Sequence, residues 1–206
     1  GIFYQAWTRG LILTLVLLPV LLYKKELIHI RKQDYGWLGI YLLFTAGTQA
    51  PIFYAFTRMD IGTVTLLFFV TMLLTMFTFG IIFLGERLTP VKIISFIFAI
   101  SGLYLVFSFS IEAFALLAAS MAVLNGIASG GEVASSKKLS DTYSPLYLTW
   151  MSWLVIVLSN MPLSIILNET QHIPAFEVVW LYQILYSIVA LFSFWFIIAG
   201  LKYLQA

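Results

Sequence analysis

The sequence predicts an all-α integral membrane protein, a polytopic bundle of seven transmembrane helices. Three observations carry that expectation. Of 206 residues, 62% are hydrophobic and only 10% are charged, whereas globular domains carry about 25% charged residues, so this chain cannot cover a water-facing surface. The mean hydropathy is +1.00. The apolar residues fall into seven runs, each near the 20 or so helical residues that cross a hydrocarbon core.

The same numbers exclude other classes. A soluble enzyme and a disordered chain both need more polar surface. A net charge of +2 is no footprint for nucleic acid. Cysteine is absent, which removes disulfides and thiolate chemistry. His29 and His172 lie far apart in polar stretches, so no metal site and no cofactor are expected.

The expected spans are Ile2–Tyr23, Trp37–Met59, Thr63–Leu84, Val91–Phe109, Ala113–Ser135, Leu146–Leu167 and Val178–Lys202. Backbone left unpaired in lipid is too costly for anything but a helix or a closed barrel. Uninterrupted runs such as Leu11–Leu22 do not alternate as barrel strands do. Thr89-Pro90 reads as an N-cap followed by proline at the first helical position, which fixes the start of the fourth helix. The fifth carries a small residue every fourth position, Ala118, Ala122, Gly126, Gly130 and Ala134, a stripe that lets another helix approach closely. Pro19, Pro51 and Pro162 are expected to bend their helices.

Basic residues orient the spans. Lys24, Lys25, Arg31, Lys32, Arg87, Lys92, Lys137, Lys138 and Lys202 share one group of loops, while Arg58 stands in the other and Arg9 in the outer part of the first helix. Nine against two puts the first group in the cytoplasm, so the first helix runs inward.

The chain also resembles itself. Trp7 and Trp150, Pro19 and Pro162, and Trp37 and Trp180 are pairs 143 residues apart. One residue further on, Phe53-Tyr54-Ala55 with Arg58 matches Ile197-Ile198-Ala199 with Lys202. The first and sixth helices are then equivalents and five helices make a repeat, so the second copy lies upside down. Inverted repeats of this kind build many secondary transporters, with the solute at their interface. The expectation is a ten-helix protein of which these are the middle seven. Residues 1–110 form a first repeat lacking its first helix, and residues 111–206 an inverted second repeat lacking its last two.

Gly85-Glu86-Arg87-Leu88-Thr89-Pro90, followed by Ser101-Gly102, is similar to the repeat-end signature of the EamA-type drug/metabolite transporter superfamily. There a helix ends in leucine-Gly-Glu-Arg-Leu and the next carries glycines at set distances. Gly102 falls at the second glycine position, and Ser95 stands at the first. Tyr54-Ala55-Phe56 resembles the family's second helix, while Met72 and Leu73 replace the proline common in its third. The resemblance implies a ten-helix carrier that moves a small organic solute by alternating access. It assigns no cargo, since members carry amino acids, nucleotide-sugar-like metabolites and lipid-linked precursors.

Charges inside a membrane are expensive and mark candidate sites. Arg9 lies about 21 Å above the cytoplasmic end of its helix at 1.5 Å per residue, placed to bind a carboxylate or phosphate. Gln49, Thr75, Asn125, Tyr182 and Tyr186 complete the substrate-binding set, alongside the neutral amides Asn160 and Gln183. Thr71, Thr75 and Thr78 share a helix face, where threonines also bond their own backbone. Glu132 is either a proton site or a salt-bridge partner of Lys137 or Lys138. Gly85, Glu86, Arg87 and Gly102 are assigned to structure. Expected partners are a small-molecule solute and the lipid bilayer, with no nucleic acid and a homodimer left open. The cell (inner or plasma) membrane is the expected location. The alternatives are a non-transporting helper subunit and a polytopic membrane enzyme, the latter disfavoured because no HExxH, GxSxG, paired aspartate or intramembrane histidine occurs.

Overall fold

The computed structural model describes residues 1–85, 89–108, 113–172 and 178–201. Among these every regular element is a helix. They are α1 (Ile2–Lys24), α2 (Tyr35–Ala46), α3 (Ala50–Phe56), α4 (Ile61–Leu84), α5 (Pro90–Ser108), α6 (Ala113–Leu139), α7 (Pro145–Ile166) and α8 (Val178–Leu201). Five of them, α1, α4, α6, α7 and α8, are long and apolar enough to cross a membrane. In α5 the apolar stretch is the shorter Ile93–Gly102. The second expected span is not one helix: Gly47, Thr48 and Gln49 separate α2 from α3.

Local chemistry sets the ends. The Asp60 side chain accepts from the Thr63 N–H at 3.1 Å and starts α4 two residues before the expected position. Gly85, at φ 67°, ends that helix in the left-handed conformation that glycine adopts without strain. The fourth expected helix begins at Pro90, with Thr89 O accepting its first bond from the Ile93 N–H at 3.1 Å. Ser144 caps α7 through its hydroxyl on the Tyr147 N–H, and Pro145 follows at the first turn. Pro19 and Pro162 lie inside α1 and α7. Pro51 bends no helix, because it stands in the first turn of α3.

The chain divides into two compact units, Gly1–Leu42 with Ser135–Ala206, and Leu43–Ala134. In the first, α1 and α7 pack side by side and antiparallel. Gly10 makes this possible: a Cβ there would meet Trp153 O and Val157 Cγ2 at 3.0 Å. Lipid removes the hydrophobic drive between such helices, so close van der Waals fit holds them. The buried positions of α1 are Tyr4, Ala6, Thr8, Arg9, Gly10, Leu13, Thr14, Leu17 and Leu21. Adding 143 to them lands on a buried position of α7 in eight of nine cases.

The helix ends keep that register. Among the described residues, Lys25 and Asn168, themselves 143 apart, are the non-glycine ones with positive φ, at 54° and 52°. After each, a glutamate N–H returns to the helix, Glu26 to Leu21 O at 3.1 Å and Glu169 to Ser164 O at 3.0 Å. This is the six-to-one bond that closes a Schellman-type end.

In the second unit the small-residue stripe packs against α4. A Cβ on Gly126 would lie 2.7 Å from Phe68 O, and one on Gly130 2.6 Å from Met72 O. These are backbone collisions, so only glycine permits the approach. Ala118 and Ala122 of the same stripe are fully buried.

Candidate functional site

Two places gather the polar groups, one in each unit. The first is the break between α2 and α3. Gly47 and Thr48 close α2 with short turns, donating to Phe44 O at 3.0 Å and Thr45 O at 3.1 Å. Proline has no N–H to carry the ladder forward, and glycine loses most by staying helical. A helix end buried in apolar surroundings needs outside partners for its carbonyls. Here α6 supplies a donor for one carbonyl and an acceptor for one hydroxyl. Asn125 donates from Nδ2 to Thr48 O, and Glu132 accepts from the Thr45 hydroxyl at 2.9 Å. Asn125 and Glu132 are seven residues apart on one helix face. They are 1% and 5% exposed, so both polar groups are held inside the protein. Gly131 lets the Phe44 ring lie flat against α6, since a Cβ there would sit 2.6 Å from it. Gln49 lies in the break itself, half-buried.

Thr75 plays a different part. Thr71, Thr75 and Thr78 each donate to the carbonyl four residues back, at 2.7, 2.8 and 2.8 Å. The Thr75 Cβ lies 2.6 Å from the Cβ position of Gly130, which places Thr75 in the α4–α6 packing.

The second place is on α1 and α8. Arg9 is 4% exposed, and its guanidinium carbon sits 3.7 Å from the centre of the Tyr186 ring. A cation over an aromatic face gains from the ring quadrupole, more so away from water. Tyr186 is itself 55% exposed and Tyr182, one turn earlier, 66%. Gln183 lies on that stretch too and donates to Gln5 O at 3.3 Å. Tyr4, Gln5, Thr8, His172, Trp180 and Gln183 line a cleft of about 320 Å³. Tyr4 donates through its hydroxyl to His172 O, and the two rings meet edge-on at 5.8 Å. Gln5, which lines the cleft, and Arg9 are one turn apart on α1. Asn160 stays within α7, donating to Ile156 O and Ser159 Oγ, both at 2.9 Å.

The structure thus groups Asn125, Glu132 and Gln49 about the break, and Arg9 with Tyr186 where α1 meets α8. Gly102 lies in α5 with nothing within 4 Å of where a Cβ would be. Glu86 and Arg87 lie outside the described residues. No group of three or more histidines and acids suited to a metal occurs among the described residues. Thr45, Thr48, Tyr4 and Gln5 are additions that sequence patterning missed. The one local signal for the first two is Gly47 followed by Pro51 inside an apolar run.

A model of the EamA-like transporter family matches residues 2–108. The chain belongs to that family. No curated protein and no solved structure matches it. Membership makes this EamA-like chain a membrane transporter in general terms. The α2–α3 break and α1, with Arg9, lie inside the matched region, and Glu132 lies beyond it.

Proposed function

We propose that this EamA-like chain carries a small organic solute across the cell membrane by alternating access, using two inverted copies of one helix group. The observation that carries the proposal is the α1–α7 pair. Burial, helix-end conformation and turn hydrogen bonds recur at one offset of 143 residues. Two equivalent helices running in opposite directions supply the pseudo-symmetry by which one fold presents itself in turn to either face. The charge count favours the start of α1 facing outward.

In this scheme the cleft at Tyr4, Gln5 and Gln183 admits the solute, and Arg9 with Tyr186 meets it. A buried guanidinium favours a carboxylate or phosphate, and a tyrosine face suits a flat or aliphatic body. The interrupted α2–α3 segment offers exchangeable backbone groups at membrane depth, as broken helices of carriers do. Glu132 is the group placed to couple a proton, through its bond to Thr45.

Purified full-length protein in liposomes tests this directly. Flux of amino acids and small organic acids is expected above protein-free liposomes, with Arg9→Ala removing it. Liposomes that take up no solute from such a panel while the protein stays folded would favour the helper subunit instead.

A further inference from the structure

We propose that Glu26 and Glu169 are paired positioning residues of the transport cycle, each clasping one end of the α1–α7 pair shut. The inference rests on the carrier proposal for its role and on the hydrogen bonds below for its existence. The two residues are 143 apart, the offset that relates α1 to α7. Each follows the left-handed residue that ends its helix, so the same turn throws each glutamate back toward the partner helix.

Each reaches the start of the partner helix, through different groups. Glu169 accepts from the N–H groups of Phe3 at 3.2 Å and Tyr4 at 2.6 Å, in the first turn of α1. Glu26 accepts from the hydroxyl of Ser144, the N-cap of α7. A carboxylate at a helix N-terminus meets unpaired N–H groups and the positive end of the dipole. Both glutamates are half-buried while their sequence neighbours on either side are exposed. A surface loop glutamate has no reason to turn inward unless that contact holds it.

Because α1 and α7 are antiparallel, the clasps lie at opposite ends of the pair. Glu169 joins the end with the cleft, and Glu26 the end among the basic residues. A carrier must open one end while the other stays shut, so both clasps closed describes an occluded arrangement. Release of Glu169 opens the cleft end, and release of Glu26 the basic end.

The chain has no cysteine, which makes thiol labelling a clean readout. In vesicles holding the full-length protein, Thr8→Cys reports on the cleft end and Thr149→Cys on the first turns of α7. A membrane-impermeant maleimide is applied to each face. Glu169→Gln is expected to raise labelling at Thr8→Cys about tenfold, the change one charge-assisted hydrogen bond supports, and to leave Thr149→Cys unchanged. Glu26→Gln should do the reverse, and Ser144→Ala should copy it. Unchanged labelling at the nearer reporter, or a rise at both together, overturns the proposal.

Should Glu169→Gln fail to fold, Gly1→Cys with Glu169→Cys supplies a second measurement. Their disulfide should stop flux and a reductant should restore it, and flux at the unlinked rate in the oxidised protein overturns the proposal. Labelling needs no solute. A wild type that moves nothing therefore removes the carrier proposal, and the reporters alone decide the clasps.

Discussion

The helices that follow α1 and α7 occupy matching places at the same offset, yet they differ. Trp37 in α2 and Trp180 in α8 are 143 apart. Beyond that, α2 stops at Ala46 and α3 begins at Ala50, whereas α8 continues unbroken to Leu201. Gly47 and Pro51 stand where α8 has Ala190 and Phe194, and α8 holds no glycine or proline before Gly200. A shared frame with one altered infill teaches where specialisation enters. Buried register and helix ends of α1 and α7 stay alike, while backbone continuity is given up between α2 and α3, next to Asn125 and Glu132.

The largest expected effect comes from disturbing the packing of α6, the helix that bonds the α2–α3 break. Gly130→Leu drives a side chain into Met72 O, and it should destabilise the protein by about 3 kcal/mol, the upper part of the usual overpacking range. A drop in the thermal midpoint in detergent checks this. Gly102→Ala, which meets nothing, should stay within about 0.5 kcal/mol.

Asn125→Leu is next. It leaves the Thr48 carbonyl buried without its partner, a cost of about 1–3 kcal/mol. Gln183→Leu on the continuous α8 should cost less than half as much, since Gln183 bonds Gln5 O at an exposed position. Equal losses in the two variants would erase the distinction between the helices.

Gly47→Ala with Pro51→Phe gives α2–α3 the residues of α8. The expected outcome is amide-exchange protection running across 47–51 and a transport rate lowered several-fold, with little change in the thermal midpoint. Full transport through a continuous helix would show that the break serves packing alone.

The smallest effect concerns the loops. Tyr143 donates to Asp34 Oδ2 at 2.9 Å and accepts from the Arg31 N–H at 3.1 Å. Burial, seconded by Asp34, pushes its phenol above the ordinary value. The folded state then keeps that proton where the unfolded chain, at about pH 10, gives it up. The contribution is whole below that pH and declines as pH rises through the folded value. Denaturant midpoints between pH 9 and 11 should fall more steeply for wild type than for Tyr143→Phe.

Much of the frame was legible in the sequence. Thr89-Pro90, the stripe from Ala118 to Ala134 and the spaced tryptophans mark features that local chemistry or simple counting exposes. The break was not, because hydropathy averages over Trp37–Met59 and sees one apolar run. What stabilises it is remote: Asn125 and Glu132 lie 77 and 87 residues from the groups they bond. Arg9 stood out as a charge in a span, but its pairing with Tyr186 needed the packing of α1 beside α8. Thr75 was read from its spacing as a solute contact, and the structure adds that its hydroxyl donates to Thr71 O of its own helix.

The two left-handed residues carry a consequence for how the chain enters the membrane. Asparagine accepts that backbone shape with little strain, and lysine does so at a cost near 1 kcal/mol. The same turn holds Asn168 after α7 but Lys25 after α1, where Lys24, Arg31 and Lys32 also gather. Charge at that loop is what the insertion machinery reads when it chooses which way a helix points. A lysine at that turn adds to the basic cluster that favours a cytoplasmic loop, a contribution Asn168 does not make at the matching turn.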